Sequence, residues 1–184
     1  MERTAADLGD ILAVGHEAEK IVAAAYEQED GNPIVMSPFK SFDKWDFRRD
    51  LRANESPDGL ESFETRVEVK YDAYASKRVE KHGNIEQCNL YFELSSYGKR
   101  SGIMQTLADE WAHVVGDKAY IFDPRDLRAA FFKDMQAEKK IGQLLKGGEA
   151  NASTGWVVPF HQMRPLVKRT LKLSRPVYVK PSAF

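Results

Sequence analysis

Glu68-Val69-Lys70 sets a carboxylate and an ammonium two residues apart within the strand-like run Arg66 to Tyr71. Side chains alternate faces along a strand, so Glu68 and Lys70 share one face while Val67, Val69 and Tyr71 take the other. Asp46 lies upstream in Trp45-Asp46-Phe47. Two acids from neighbouring strands and one lysine can hold a divalent metal and a phosphodiester together. The metal would supply an activated water and positive charge for the developing pentacovalent phosphate. Mg²⁺ takes hard oxygen ligands and keeps several waters, so two or three carboxylates suffice, and Mn²⁺ can substitute. The Val69 carbonyl would complete the ligand set. Lys70 would contact the phosphate, orient the attacking water, or act on its proton if burial and nearby charge lower its pKa. The competing reading is a cross-strand ion pair on an exposed sheet face.

These residues need a frame. Asp7 to Tyr26 reads as a helix, with Ile11, Leu12, Val14, Ile21, Val22 and Ala25 at near-helical spacing. Asp30-Gly31-Asn32-Pro33 is a stop. Phe42 to Phe47 predicts a short strand, Arg48 to Pro57 a charged hairpin loop, and Arg66 to Tyr71 the second strand. Ala73 to Asn84 reads as a short helix or a mobile loop, and Asn89 to Leu94 as a third strand. Ser96 to Gly102 is a basic loop with glycine and serine. Thr106 to Val115 predicts a helix, with Thr106 as N-cap and Asp109 in a capping-box-like position. Lys118 to Phe122 is a fourth strand, and Asp123-Pro124 opens a helix carrying Leu127, Ala130 and Phe131. Gly147-Gly148 to Gly155 reads as flexible, Gly155 to Phe160 as strand-like, and Arg164 to Leu173 as a last helix or strand. The expected fold class is α/β, a mixed sheet flanked by helices.

With the elements in this order, the chain resembles the PD-(D/E)XK nuclease superfamily. That pattern is a helix bearing a glutamate, a hairpin bearing an aspartate, then (Asp/Glu)-x-Lys on the next strand, then a further helix. Here Gly15-His16-Glu17-Ala18-Glu19 lies in the first helix, Asp46 on the first strand, and Glu68-Val69-Lys70 on the second. Ser101-Gly102-Ile103 with Thr106, Ala108-Asp109 and Trp111 is similar to small phage-type, Holliday-junction-resolvase-like members. The resemblance covers roughly residues 12 to 130. It implies a restriction-endonuclease-like central sheet of about four to five strands. It also implies that Asp46 and Glu68 bind Mg²⁺, that Lys70 is catalytic, and that Glu19 assists from the helix. Asp43 competes with Asp46, and Glu17 with Glu19. Asp46 is preferred as nearer the hairpin, and Glu19 because Gly15 stands four residues before it. Glu93 matches a recurrent acid of the phage-type sequences and could reach the metal's water shell or pair with a base.

Composition narrows the function classes. At 184 residues, the chain suits a single domain with a basic C-terminal extension over 145–184. Its net charge of −1 argues against a protein that coats nucleic acid nonspecifically. Past Lys139 the balance changes: Lys139, Lys140, Lys146, Arg164, Lys168, Arg169, Lys172, Arg175 and Lys180 face one acid, Glu149. That stretch reads as a phosphate-binding surface or as a solvated amphipathic tail. Cys88 is the single cysteine, so neither an internal disulfide nor a cysteine zinc cage is available. No run suits a membrane span or a signal peptide, which points to a cytoplasmic setting.

His16, His82, His113 and His161 are scattered without zinc-ligand spacing, and neither a P-loop nor a nucleophile elbow is present. Trp45 and Trp111 suit a core, and Trp156 a core or a base-stacking role. The expectation is a metal-dependent DNA endonuclease, structure-selective, working in recombination, replication or repair. Its DNA backbone contacts would come from Lys77, Arg78 and Lys81 and from Lys99 and Arg100. A homodimer would suit it, because two strands need two sites. The alternative is a noncatalytic module that binds nucleic acid or protein and keeps the fold.

Overall fold

The computed structural model describes residues 5–37, 45–51, 63–147 and 151–177. Among the described residues, two sheets and four α-helices form a mixed α/β structure. Helix α1 (Ala5–Asp30) leads into β1 (Ile34–Met36), β2 (Phe47–Leu51) and β3 (Phe63–Tyr71). Helix α2 (Ala73–His82) follows, then β4 (Asn89–Ser96) and β5 (Lys99–Arg100). Next come β6 (Glu110–Val115), β7 (Lys118–Phe122) and α3 (Pro124–Gln136). The chain ends with β8 (Gln143–Gly147), β9 (Ser153–Pro159), the one-turn helix α4 (Phe160–Met163) and β10 (Arg169–Lys172).

The first sheet runs β1-β2-β3-β6-β7-β10 and the second β5-β4-β9-β8. Among the described residues only β3 and β6 pair in parallel, which requires a crossover, and α2, β4 and β5 lie within it. Alternation along β6 then builds two cores. Ala112 and Val114 turn to α1, where Ala18, Ile21, Val22 and Tyr26 present one helical stripe to Val67 and Val69. Trp111 and Val115 turn the other way, onto Phe92, Trp156 and Val158 of the second sheet and Leu127 and Phe131 of α3. The Tyr26 ring meets Phe47 edge-on at 5.3 Å, fixing α1 against the start of β2.

Caps set the helix bounds. Asp72 accepts from the Ala75 N–H to start α2, and Gly83, at φ 68°, ends it in the left-handed region. Asp123 accepts from the Arg125 N–H, with Pro124 in the first turn of α3, as expected.

Three expectations change. The run from Thr106 to Val115 is no helix, since its second half is strand β6. Trp111, Val114 and Val115 favour a pleated, doubly buried surface. The Thr106 hydroxyl accepts from Ala108 N–H in a local turn, and the Asp109 carboxylate accepts from the Arg66 N–H and Nε instead of capping. The central sheet has six strands rather than four or five, and a second sheet of four joins it. Arg48 to Leu51, assigned to the hairpin loop, belong to β2, while 52–57 lie outside the described residues. Of the strand expected over 42–47, residues 42–44 also lie outside them.

Residues beyond 145 enter both sheets, through β9 in the second and β10 in the first. Their cations pair with acids elsewhere: Arg164 with Glu86, Lys168 with Asp126, Arg169 with Glu110, and Arg175 with Glu17. Among the described residues, no helix is long and apolar enough to cross a membrane.

Candidate active site

Asp46 stands one residue before β2, and its backbone N–H bonds the Val67 carbonyl at 2.8 Å. Its Oδ2 accepts from the Val69 N–H at 2.6 Å. The N–H and C=O of one strand residue point to the same side, so the Val69 carbonyl is directed to the side where Asp46 sits. Glu68 is buried on the face turned away from α1, and the Lys70 Nζ lies 2.9 Å from its Oε1. The chain thus gathers Asp46, Glu68, the Val69 backbone and Lys70 at one place on β3.

Electrostatics define the surroundings. Burial, then the Glu68 charge, push the Asp46 carboxyl up to about 7, against the pull of Lys70 and the Val69 N–H. Glu19 adds to the rise, so this acid of α1 lies within electrostatic reach of Asp46. Glu17 is drawn away into its ion pair with Arg175, while Glu19 meets His16 Nδ1 at 2.9 Å. Of the two helix acids, Glu19 is the one whose charge acts on Asp46. Asp43 lies outside the described residues.

For Lys70, desolvation alone would lower the pKa. The Glu68 and Asp46 carboxylates outweigh it and raise the pKa, with Glu93 contributing. Lys70 is therefore a held cation and not a proton acceptor at neutral pH. Glu93 reaches the group from β4. Its Oε1 accepts from the Ser101 hydroxyl at 2.7 Å, and a register shift in the β4–β9 ladder follows it. Gly102, at φ 52°, lies so close that an added Cβ would stand 2.3 Å from the Glu93 carbonyl oxygen. Only glycine fits a positive φ and that approach together.

The donor set suits a hard cation: two carboxylates and a carbonyl, with a third carboxylate on the helix. A carboxyl whose proton affinity is raised by burial and then by its neighbour's charge would give up that proton to a bound divalent ion. Among the described residues, no group of three or more His, Cys, Asp or Glu side chains stands close enough to form a ready metal cage. Backbone oxygen and water would have to complete the shell, as Mg²⁺ commonly requires.

No family model, curated protein or solved structure matches this chain.

The basic residues expected at DNA lie close in sequence to the cluster. Lys77, Arg78 and Lys81 are on α2, which opens two residues after β3 ends at Tyr71. The Arg78 guanidinium lies 6.0 Å above the exposed Tyr74 ring. Lys99 and Arg100 are exposed on β5, and Arg100 directly precedes Ser101. Trp111 and Trp156 are fully buried, which removes Trp156 from base stacking. His113, given to a helix by its sequence, is a buried β6 residue. Its Nε2 lies 3.2 Å from Asp72 Oδ2, and its Nδ1 is 3.4 Å from Trp111 Nε1. Asp72 also accepts from the Ala75 and Tyr91 N–H groups, so one carboxylate joins α2, β4 and β6 just beyond Lys70. Nothing at Asp72 in the sequence distinguishes it from the other acids; only the fold shows its role. A cavity of about 290 Å³ lies off the cluster, between α2 and the β6–β7 turn, lined by Tyr71, Lys77, Glu80, Gly116 and Val177 among others.

Proposed function

We propose that this protein is a metal-dependent DNA endonuclease of the PD-(D/E)XK type, structure-selective, acting in recombination, replication or repair. The observation that carries the reading is the Asp46 carboxylate on the Val69 N–H beside the Glu68–Lys70 pair. The element order supports it too: helix with Glu19, hairpin after Asp46, strand with Glu68 and Lys70, then α2.

Asp46, Glu68 and the Val69 carbonyl would hold Mg²⁺ or Mn²⁺, with Glu19 assisting from α1. The bound ion would supply Lewis acidity and an activated water. Lys70, kept cationic by the two carboxylates, would bind a non-bridging phosphate oxygen and so place the scissile group. Glu93, fixed by Ser101, would share the balance of charge around Lys70. Arg78, Lys81, Lys99 and Arg100 would hold backbone phosphates, which positions DNA without reading sequence.

The test is cleavage of plasmid and branched DNA with Mg²⁺ by wild type and Lys70→Ala. The expected result is cleavage lost by roughly a hundredfold or more with DNA binding retained. No metal-dependent cleavage by clean wild-type protein on any DNA substrate would overturn the reading. The second reading, a noncatalytic binding module, draws on the lack of a ready three-ligand group among the described residues. It predicts no heat of Mn²⁺ binding by calorimetry, whereas the nuclease predicts binding that Asp46→Asn abolishes.

A further inference from the structure

Strands β4 and β5 close as a hairpin on a two-residue turn, Tyr97-Gly98, between the paired residues Ser96 and Lys99. Tyr97 has φ 48° and Gly98 has φ 75°, and positive φ at both centres matches the twist of the flanking strands. Asparagine, aspartate or glycine suits the first of these positions, whereas a tyrosine there crowds its own backbone. Asn151 is the other non-glycine residue with positive φ among the described residues, so Tyr97 is the one bulky side chain held this way.

The fold makes no use of that ring. It is 76% exposed and has no hydrogen bond, ring contact or cation contact among the described residues. The Tyr97 N–H bonds the Ala152 carbonyl at 2.8 Å, so the tip is braced on the approach to β9 while the ring stands in solvent. Strain of this kind persists where something other than local stability keeps the residue, and ligand contact is a common reason. Lys99 and Arg100 follow the turn, both exposed and without an acid partner among the described residues. They oppose Ser96 and Ser95, which carry no charge to hold them. Alternation along β5 places them on opposite faces of the hairpin.

The tip thus carries a bare aromatic ring and two free cations, with no other apolar side chain from Ser95 to Arg100. A protein-binding hot spot would set the ring among contacts that exclude water, and a membrane anchor would add apolar side chains. A base stacked on the ring, with a phosphate to either side, engages all three residues at once. We infer that Tyr97 is a stacking platform for an unpaired base of DNA, with Lys99 and Arg100 holding the phosphates that flank it. Bases within a continuous duplex are already stacked on both faces, so the ring selects DNA in which a base is free. The hairpin arms lead back to the cluster, since Tyr97 lies midway between Glu93 and Ser101, which bond each other. At about 3.3 Å per strand residue the tip stands roughly 13 Å from Glu93, about four base steps along one strand. The inference rests on the DNA reading above and narrows its substrate, but it does not need the metal chemistry.

Fluorescence anisotropy in chelator tests it, with an intact duplex and the same duplex carrying a short single-stranded gap, at one salt concentration. Wild type should bind the gapped probe about tenfold more tightly than the intact one. Tyr97→Asn should abolish that preference with its melting temperature unchanged or raised, because asparagine suits positive φ. Tyr97→Trp should keep the preference. A gap of abasic nucleotides keeps the phosphates and the flexibility but removes the bases, so wild type should treat it as Tyr97→Asn treats the ordinary gap. Equal affinity for the gapped and intact probes, a preference that survives Tyr97→Asn, or one that survives the abasic gap would each overturn the inference. Protein that prefers the gap through Tyr97 but cuts nothing with Mg²⁺ keeps this site and fails as a nuclease. Protein that cuts through Lys70 but binds both probes equally does the reverse.

Discussion

Asp46 carries the most unfavourable charge of the cluster, and this has a measurable consequence. Its pKa in the folded chain is about 7 against an ordinary 3.8, chiefly through burial and the Glu68 charge. Between about pH 4 and 7 the folded chain keeps a proton that the unfolded chain has released. Metal-free stability therefore falls as pH rises through that window, and the deficit is complete above it. Asp46→Asn keeps an oxygen to accept from the Val69 N–H and removes the charge. The variant should be more stable than wild type at pH 8 without metal, by roughly 1–3 kcal/mol after allowance for solvent screening. The gain should vanish below about pH 4, and cleavage should be lost at every pH. Thermal melts across pH in chelator check this, and an unchanged or lower melting temperature at pH 8 would contradict it. Saturating Mg²⁺ should raise the wild-type melting temperature and leave the variant unmoved. At this scale Glu68 and Lys70 were legible, because a two-residue strand spacing dictates a shared face. Glu19 was preferred to Glu17 on the spacing of Gly15, whereas the pairing of Glu17 with Arg175, 158 positions away, is invisible to any local pattern.

Buried carboxylates join the elements in this fold. Asp134, at the end of α3, accepts from Ile141 N–H at 2.6 Å, Gly142 N–H at 3.0 Å and Trp156 Nε1 at 2.9 Å. It ties helix, β8 approach and β9 with one side chain. Asp134→Ala would leave three donors without their acceptor in a site closed to water, costing about 3 kcal/mol in total. Urea denaturation measures this, and a loss under about 1 kcal/mol would mean that water replaces the carboxylate. Gly142 belongs to the same joint, because an added Cβ there would stand 1.9 Å from the Trp156 Nε1. Helices α1 and α3 were legible from periodicity and the Asp-Pro start. Strand β6 was not, because a Thr-x-x-Asp arrangement imitates a capping box. What decided the outcome was the parallel pairing of β6 with β3, a contact over more than 40 residues. Likewise, nothing local in Gln143 to Gly147 signals a strand, and only pairing with β9 makes it one.

Across the whole molecule, charge sorts into bound and available sets. The C-terminal cations read as a phosphate-binding surface or as a solvated amphipathic tail, and four of them, Arg164, Lys168, Arg169 and Arg175, meet acids on other elements. The Arg169 guanidinium also lies 5.0 Å from the Tyr26 ring, opposite the equally close Arg49, with Glu110 between them. These contacts draw α1, β2, β6 and β10 together and tie up the charge of Arg169 and Arg49. In contrast, Lys99 and Arg100 stand exposed on β5, next to Ser101 and so to the Glu93 arm of the cluster. Each phosphate neutralised by a cation contributes about 0.9 to the slope of log affinity against log salt on duplex DNA. Replacing Lys99 and Arg100 with alanine should therefore reduce that slope by roughly 2 and weaken all duplex sequences alike. Lys168→Ala should leave the slope unchanged and alter stability only slightly, because its pair with Asp126 is exposed to solvent. Binding isotherms in a salt series separate the two outcomes. A slope that falls with Lys168→Ala and not with the β5 pair would place the DNA on the C-terminal face instead.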